Sequence, residues 1–182
     1  VESFLKIVVS QRSKYEIINF GRNVILEIEK KVIQYLKLNS MNELRDKFEG
    51  QAFYNNYSTI LLGEMAVKKK LGLNFLENGV KPNNKEAILI LNGNEILIIT
   101  SHYGEFPYIN ENEKRSVIFT IRKNDLSIWI CGLATIDILE ENKLNKSQSN
   151  ESAQKGKLPF DLFEKLIPIS DIENLNLILE KK

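Results

Sequence analysis

Through residues 15–38 apolar side chains recur at close to helical spacing, at Ile17, Ile18, Val24, Ile25, Ile28, Val32, Ile33 and Leu36, and predict one long helix. Glu27 and Lys31, four apart, fall on its polar side. Asn39-Ser40 ends it. Ser40 followed by Glu43 has the spacing of a capping box for a short helix over 41–48, with Gly50 as its stop. The next helical pattern covers 57–71 and closes on Gly72, with a stripe of Tyr57, Ile60, Leu61, Val67 and Leu71. Glu64 lies inside that stripe. Residues 74–84, with Gly79, Pro82 and Asn83-Asn84, read as a loop.

The period then changes. Two apolar runs, 88–91 and 96–99, flank Asn92-Gly93-Asn94, a strong hairpin signal. Both runs are apolar at every position, which suits strands covered on both faces at the centre of a sheet. A polar stretch over 102–115 follows, then strands over 116–122 and 127–132 joined by a turn at Lys123-Asn124-Asp125. Residues 136–141 fit a short helix or a further strand. Residues 143–157 have almost no apolar content and read as a flexible loop. The tail regains apolar character at Phe160, Phe163, Leu166, Ile167 and Ile169 and is expected to dock on the domain. The order predicts an α+β or mixed α/β fold, a central mixed sheet flanked by helices. It fits a single domain over 1–182, with an N-terminal helical part (1–50), a core (55–135), the loop (143–157) and a C-terminal tail (158–182).

Composition narrows the function classes. The 182 residues hold 25 Lys plus Arg against 24 Asp plus Glu, so whole-molecule attraction to nucleic acid or an anionic membrane is not expected, while a local basic patch is compatible with that balance. The lone Cys131 forms no internal disulfide, and the lone His102 excludes a multi-histidine zinc site within one chain. No apolar run is long enough to span a bilayer, and the opening Val1-Glu2-Ser3-Phe4 does not read as a secretory signal. The expectation is a cytoplasmic protein without a membrane partner.

Glu64 is the first candidate for chemistry, since an inward carboxylate costs several kcal/mol unless it is paired, protonated or near a metal. Lys68, at i+4, offers the structural alternative. Lys68, Lys69 and Lys70 could meet phosphate or simply complement the helix dipole. His102 could face a cleft or serve the structure. Tyr103, Phe106 and Tyr108, with Arg115 close by, could stack on bases or pack the loop onto the sheet. Cys131 reads as a small buried hydrophobe.

The series Gly63-Glu64-Met65-Ala66, Leu71-Gly72, and the hairpin ending Thr100-Ser101 resembles the restriction-endonuclease-like superfamily, the PD-(D/E)XK nucleases, over about residues 55–135. Cys131-Gly132 resembles the close of a later core strand of that family. Laid on this chain, the family pattern puts Ala87 where its first aspartate belongs, Leu97 at the acidic position and Ile99 at the lysine. Residues 97 and 99 share one face of a strand. In such nucleases the carboxylates hold Mg²⁺ and the lysine steadies charge near the attacking water. Alanine, leucine and isoleucine supply none of this, and only Glu64 of the acidic set is retained. Replacing buried charges with packed aliphatics is often neutral or stabilising by about 1–4 kcal/mol, the direction a disused site would drift.

The resemblance implies a nuclease-like protein that no longer cleaves and needs no cofactor. It would bind nucleic acid, DNA above all, through Lys68–Lys70 and His102, or serve regulation or assembly in a restriction, defence or mobile-element system. It also implies a homodimer. Two alternatives stand beside it. One is a live, divergent Mg²⁺-dependent endonuclease using Glu64 with Glu86 or Glu95. The other is a non-enzymatic protein-interaction domain.

Overall fold

The computed structural model describes residues 2–45, 48–74, 86–148 and 156–180. In chain order the elements are α1 (Glu2–Ile7), a 3₁₀ segment (Val9–Lys14), β1 (Glu16–Asn19), α2 (Arg22–Leu36), α3 (Asn42–Arg45), α4 (Phe48–Lys70), β2 (Ala87–Leu91), β3 (Asn94–His102), β4 (Tyr108–Asn110), β5 (Ser116–Asn124), β6 (Ser127–Ala134), α5 (Ile136–Gln148), β7 (Lys157–Pro159), a 3₁₀ turn (Phe163–Lys165) and α6 (Ile172–Glu180). Five strands form one curled mixed sheet in the order β1-β6-β5-β3-β2, and β4 pairs with β7 in a separate ribbon. β3 and β5 run parallel at the centre, and the other pairings are antiparallel. The α+β, mixed-sheet expectation therefore holds at this level.

Strand alternation splits the core in two. Ala87, Leu89, Ile96, Ile98, Ile118, Ile128 and Ile130 face Ile28 and Val32 of α2, Leu61 and Ala66 of α4, and Leu175 of α6. Leu97, Val117, Phe119, Ile121, Trp129 and Cys131 face the other way, against Phe4 of α1, Leu139 of α5, and Phe160 and Phe163 of the tail. Phe119 and Phe160 stack at 4.2 Å, which adds about 0.5–1.5 kcal/mol beyond their burial. The tail docks as expected, and Tyr103 and Phe106 pack edge-on against Phe4.

The hairpin forms as predicted. Asn92 (φ 50°) and Gly93 (φ 79°) both take left-handed conformations, the geometry of a two-residue turn matching strand twist. Its placement differs, because only β3 is central. β2 is an edge strand whose Ile88 and Ile90 point outward, Ile90 being 66% exposed. The single helix over 15–38 resolves into β1, which pairs with Ile130–Ser127 of β6, and α2. The adjacent β-branched Ile17 and Ile18 favour the strand, and Gly21, extended at the N-cap, separates the two. Glu27 pairs with Lys30, not with Lys31. Gly50 does not stop a helix but lies buried within α4. Residues 136–141 are helical, and α5 runs on to Gln148, through the start of the predicted loop. Its inward Asn142 and Lys146 find polar partners, Pro159 O at 3.1 Å and Asp161 at 2.5 Å. Residues 75–84 of the first predicted loop and 149–155 of the second lie outside the described residues.

α4 lies directly on the centre of the sheet. A Cβ at Gly63 would overlap Thr100 Oγ1 and lie 2.9 Å from Thr120 Oγ1. Those hydroxyls bond to each other at 2.7 Å. Gly63→Ala should therefore destabilise the protein by about 1–3 kcal/mol, overriding the roughly 1 kcal/mol helix-propensity gain of alanine. Urea unfolding should show a lower midpoint, with partial recovery in Gly63→Ala/Thr100→Ala.

Candidate nucleic-acid interface

The positions matched to the nuclease motif are not brought together. Ala87 pairs with Ile98 and is buried on the α4 side, whereas Leu97 and Ile99 belong to the opposite face. Successive helical residues project about 100° apart, so with Gly63 against the sheet, Glu64 is turned away from β3. Glu64 is 2% exposed and its carboxylate lies 2.7 Å from Lys68 Nζ, the structural alternative for this residue. Glu86 is held by Arg115, and Glu95 sits on the rim opposite Ile90. Among the described residues no three of His, Cys, Asp and Glu come together in a group able to hold a metal.

The lysine run is likewise dispersed. Lys68 turns inward to Glu64. Lys69 reaches Asn19 O at 3.4 Å and lies 5.5 Å from the Phe20 ring centre, and Lys70 pairs with Glu16 at 2.9 Å. These three contacts lie toward β1, and Lys68 to Lys70 are about 15 Å along α4 from the helical turn that meets His102. Arg115 is tied to Glu113 at 2.7 Å, which holds that carboxyl below its usual range. Burial pushes the Cys131 thiol up, as fits a core residue.

His102 does reach a polar site, and its centre is a residue that the motif comparison passed over. β3 and β5, the parallel pair, end side by side at His102 and Arg122. Residues Thr100 and His102, and Thr120 and Arg122, continue the α4-facing side of the two strands beyond the apolar core. Above them α4 carries Asn55, Ser58 and Thr59, polar residues at i, i+3 and i+4 on one helical face.

Arg122 is 7% exposed. Its Nη1 donates to Ser58 Oγ (3.0 Å) and Thr59 Oγ1 (2.8 Å), and its Nη2 donates to Asp125 Oδ1 (2.8 Å). Both hydroxyls donate their own protons to Asn55 O, at 3.1 Å and 2.7 Å, so their lone pairs face the guanidinium. His102 Nε2 lies 3.3 Å from Thr59 Oγ1. With the Thr59 proton committed to Asn55 O, Nε2 is assigned as the donor in that contact. On the opposite face of the strand end, Lys123 Nζ lies 3.3 Å from the Tyr103 ring centre and 5.6 Å from that of Trp129, and Arg12 lies 5.5 Å from Trp129.

These groups border an open pocket of about 340 Å³ lined by Asn55, His102, Tyr103, Arg122, Lys123, Asn124 and Asp125. Its chemistry is that of an oxyanion seat. A guanidinium is held at a fixed angle by two neutral hydroxyls and the Asp125 carboxylate, with an imidazole near it, an ammonium on the other side of the strand end and amide side chains at the rim. In open α/β sheets, ligand crevices lie beyond the carboxyl ends of parallel strands, where this pocket lies. The legible signal was Thr120-Ile121-Arg122, a period-two continuation into charge, together with Asn55-x-x-Ser58-Thr59 in the helix that covers it.

Comparison with family models, with curated proteins and with solved structures found no match. No helix among the described residues is long and apolar enough to cross a membrane.

The burial asymmetry within the cluster predicts unequal costs. Arg122→Met leaves the Ser58 hydroxyl without its donor and Thr59 with only that of His102, and should cost about 1–3 kcal/mol. Asp125→Asn, at an exposed partner, should cost under about 1 kcal/mol. Urea unfolding of the two variants should keep that order.

Proposed function

We propose that this chain binds nucleic acid without cleaving it, gripping a phosphate group in the pocket at the ends of β3 and β5. The observation that carries the reading is Arg122, a guanidinium almost withdrawn from water yet oriented toward an open pocket that also contains His102 and Lys123. Phosphate recognition favours arginine in a fixed geometry, because its donors match the oxygens. The role expected of a nuclease-like core stripped of its chemistry, binding rather than hydrolysis, is kept in this reading. Its support is the pocket and not ancestry, since ancestry asks Ala87, Leu97 and Ile99 to converge and they occupy two faces. The near-neutral charge of the chain fits a local grip on one or two phosphates better than a long electrostatic track.

A second reading draws on β2. Its backbone edge has no strand partner among the described residues, and Ile88 and Ile90 stand exposed beside it. An apolar edge of this kind favours strand addition by a second copy of the chain. Light scattering across a concentration series tests it, and a monomer at all concentrations counts against it.

The binding experiment is fluorescence anisotropy with a labelled single strand carrying its natural 5′-phosphate, in EDTA. Affinity should fall as salt rises, with a log–log slope between about −1 and −2, and Lys123→Gln should reduce the slope by about 0.7, the contribution of one phosphate contact. His102→Gln should weaken binding while leaving the strand intact on a gel. Affinity unchanged by Lys123→Gln would contradict the assignment of the pocket, and Mg²⁺-dependent cutting abolished by Glu64→Ala would contradict the non-hydrolytic reading.

A further inference from the structure

We propose that Asp125 is a built-in competitor for the phosphate seat, and that this makes the pocket selective for a terminal phosphomonoester over the phosphodiesters within a strand. The proposal rests on the nucleic-acid reading above and specifies which phosphate is taken.

The two halves of the Arg122–Asp125 pair differ sharply. The Arg122 side chain is 8% exposed and that of Asp125 is 85% exposed. Arg122 Nη1 is anchored to Ser58 and Thr59, so the guanidinium stays in place whatever Asp125 does. Nη2 meets the Asp125 carboxylate, which is the anion already occupying the seat. Asp125 is not what holds the β5–β6 turn. Asn124 Oδ1 accepts the Leu126 N–H at 3.0 Å, Leu126 O accepts the Phe20 N–H at 2.8 Å, and Asn124 pairs with Ser127 across the turn. The carboxylate can therefore swing into water without loosening the strands, and an incoming oxyanion can replace it on Nη2.

A tethered carboxylate sets a threshold. It carries one negative charge and acts at high effective concentration. A phosphodiester, also singly charged, meets it on equal terms and gains little by exchange. A terminal phosphomonoester carries about −1.5 to −2 at neutral pH and offers a third oxygen acceptor, so it displaces the carboxylate more readily, in a pocket that His102 and Lys123 also line.

The experiment compares two labelled oligothymidylates of identical sequence, one with a 5′-phosphate and one with a 5′-hydroxyl, binding to the wild-type chain and to Asp125→Asn. Wild type should prefer the phosphorylated strand by about tenfold. Asp125→Asn should bind the hydroxyl-ended strand about fivefold more tightly than wild type does, and so narrow the preference. Equal binding of the two strands by wild type overturns the proposal. So does an equal gain for both strands in Asp125→Asn, the result expected when a negative charge is merely removed nearby. Binding that ignores both the end group and Lys123→Gln, or no binding by either protein, overturns the nucleic-acid reading of the pocket and this proposal with it. Binding that depends on Lys123 but not on the end group leaves that reading standing and removes only the competitor role.

Discussion

A buried guanidinium has to be satisfied, and how Arg122 is satisfied organises this end of the molecule. Two neutral hydroxyls on α4 take one side of it, and an exposed carboxylate takes the other. Had both partners been buried, the cluster would be a closed structural pair. Because one lies in water, the charge of Arg122 remains available to the pocket while its position does not vary. The requirement reaches back into α4, where Ser58 and Thr59 accept from Arg122 while donating their own protons to Asn55 O.

The rest of the fold supports that placement. Close approach of α4 to the sheet is set by the absence of a side chain at Gly63, over the Thr100–Thr120 hydroxyl pair. The same approach brings Thr59 within reach of Arg122 and His102. Below the sheet, Phe119, Phe160, Phe163 and Trp129 fix the opposite face and hold Lys123 over Tyr103. One strand end thus presents a cation on each side, Arg122 toward the helix and Lys123 toward the aromatic layer.

Much of the architecture was legible because it rests on local chemistry. Asn92-Gly93 meets the need for positive φ in a tight turn, and the apolar runs of β5 and β6 admit no other role. β1 was hidden because Ile17 and Ile18 satisfy a helical period as readily as a strand, and the break at Gly21 is a single residue. The reach of α5 was hidden because polarity was read as exposure, whereas Asn142 and Lys146 are buried polar side chains with polar partners. β2 was placed at the sheet centre on its uniform apolarity, a pattern that an edge strand with outward isoleucines reproduces. The site was half legible. His102 reaches it, but Lys68, Lys69 and Lys70 are consumed by local contacts, and parity within β3 could not reveal that Ala87, on the neighbouring strand, takes the register of Ile98 and so the opposite face from Leu97 and Ile99.

The proposed function requires that a phosphate of nucleic acid enter the pocket lined by Arg122, His102 and Lys123. Backbone amide NMR during titration with a 5′-phosphorylated oligothymidylate tests it most directly. Saturable shifts concentrated at Asn55, His102, Tyr103, Lys123 and Asn124 are expected. Shifts confined to β2 or to the Lys68–Lys70 end of α4, or an unchanged spectrum at saturating ligand, would contradict it.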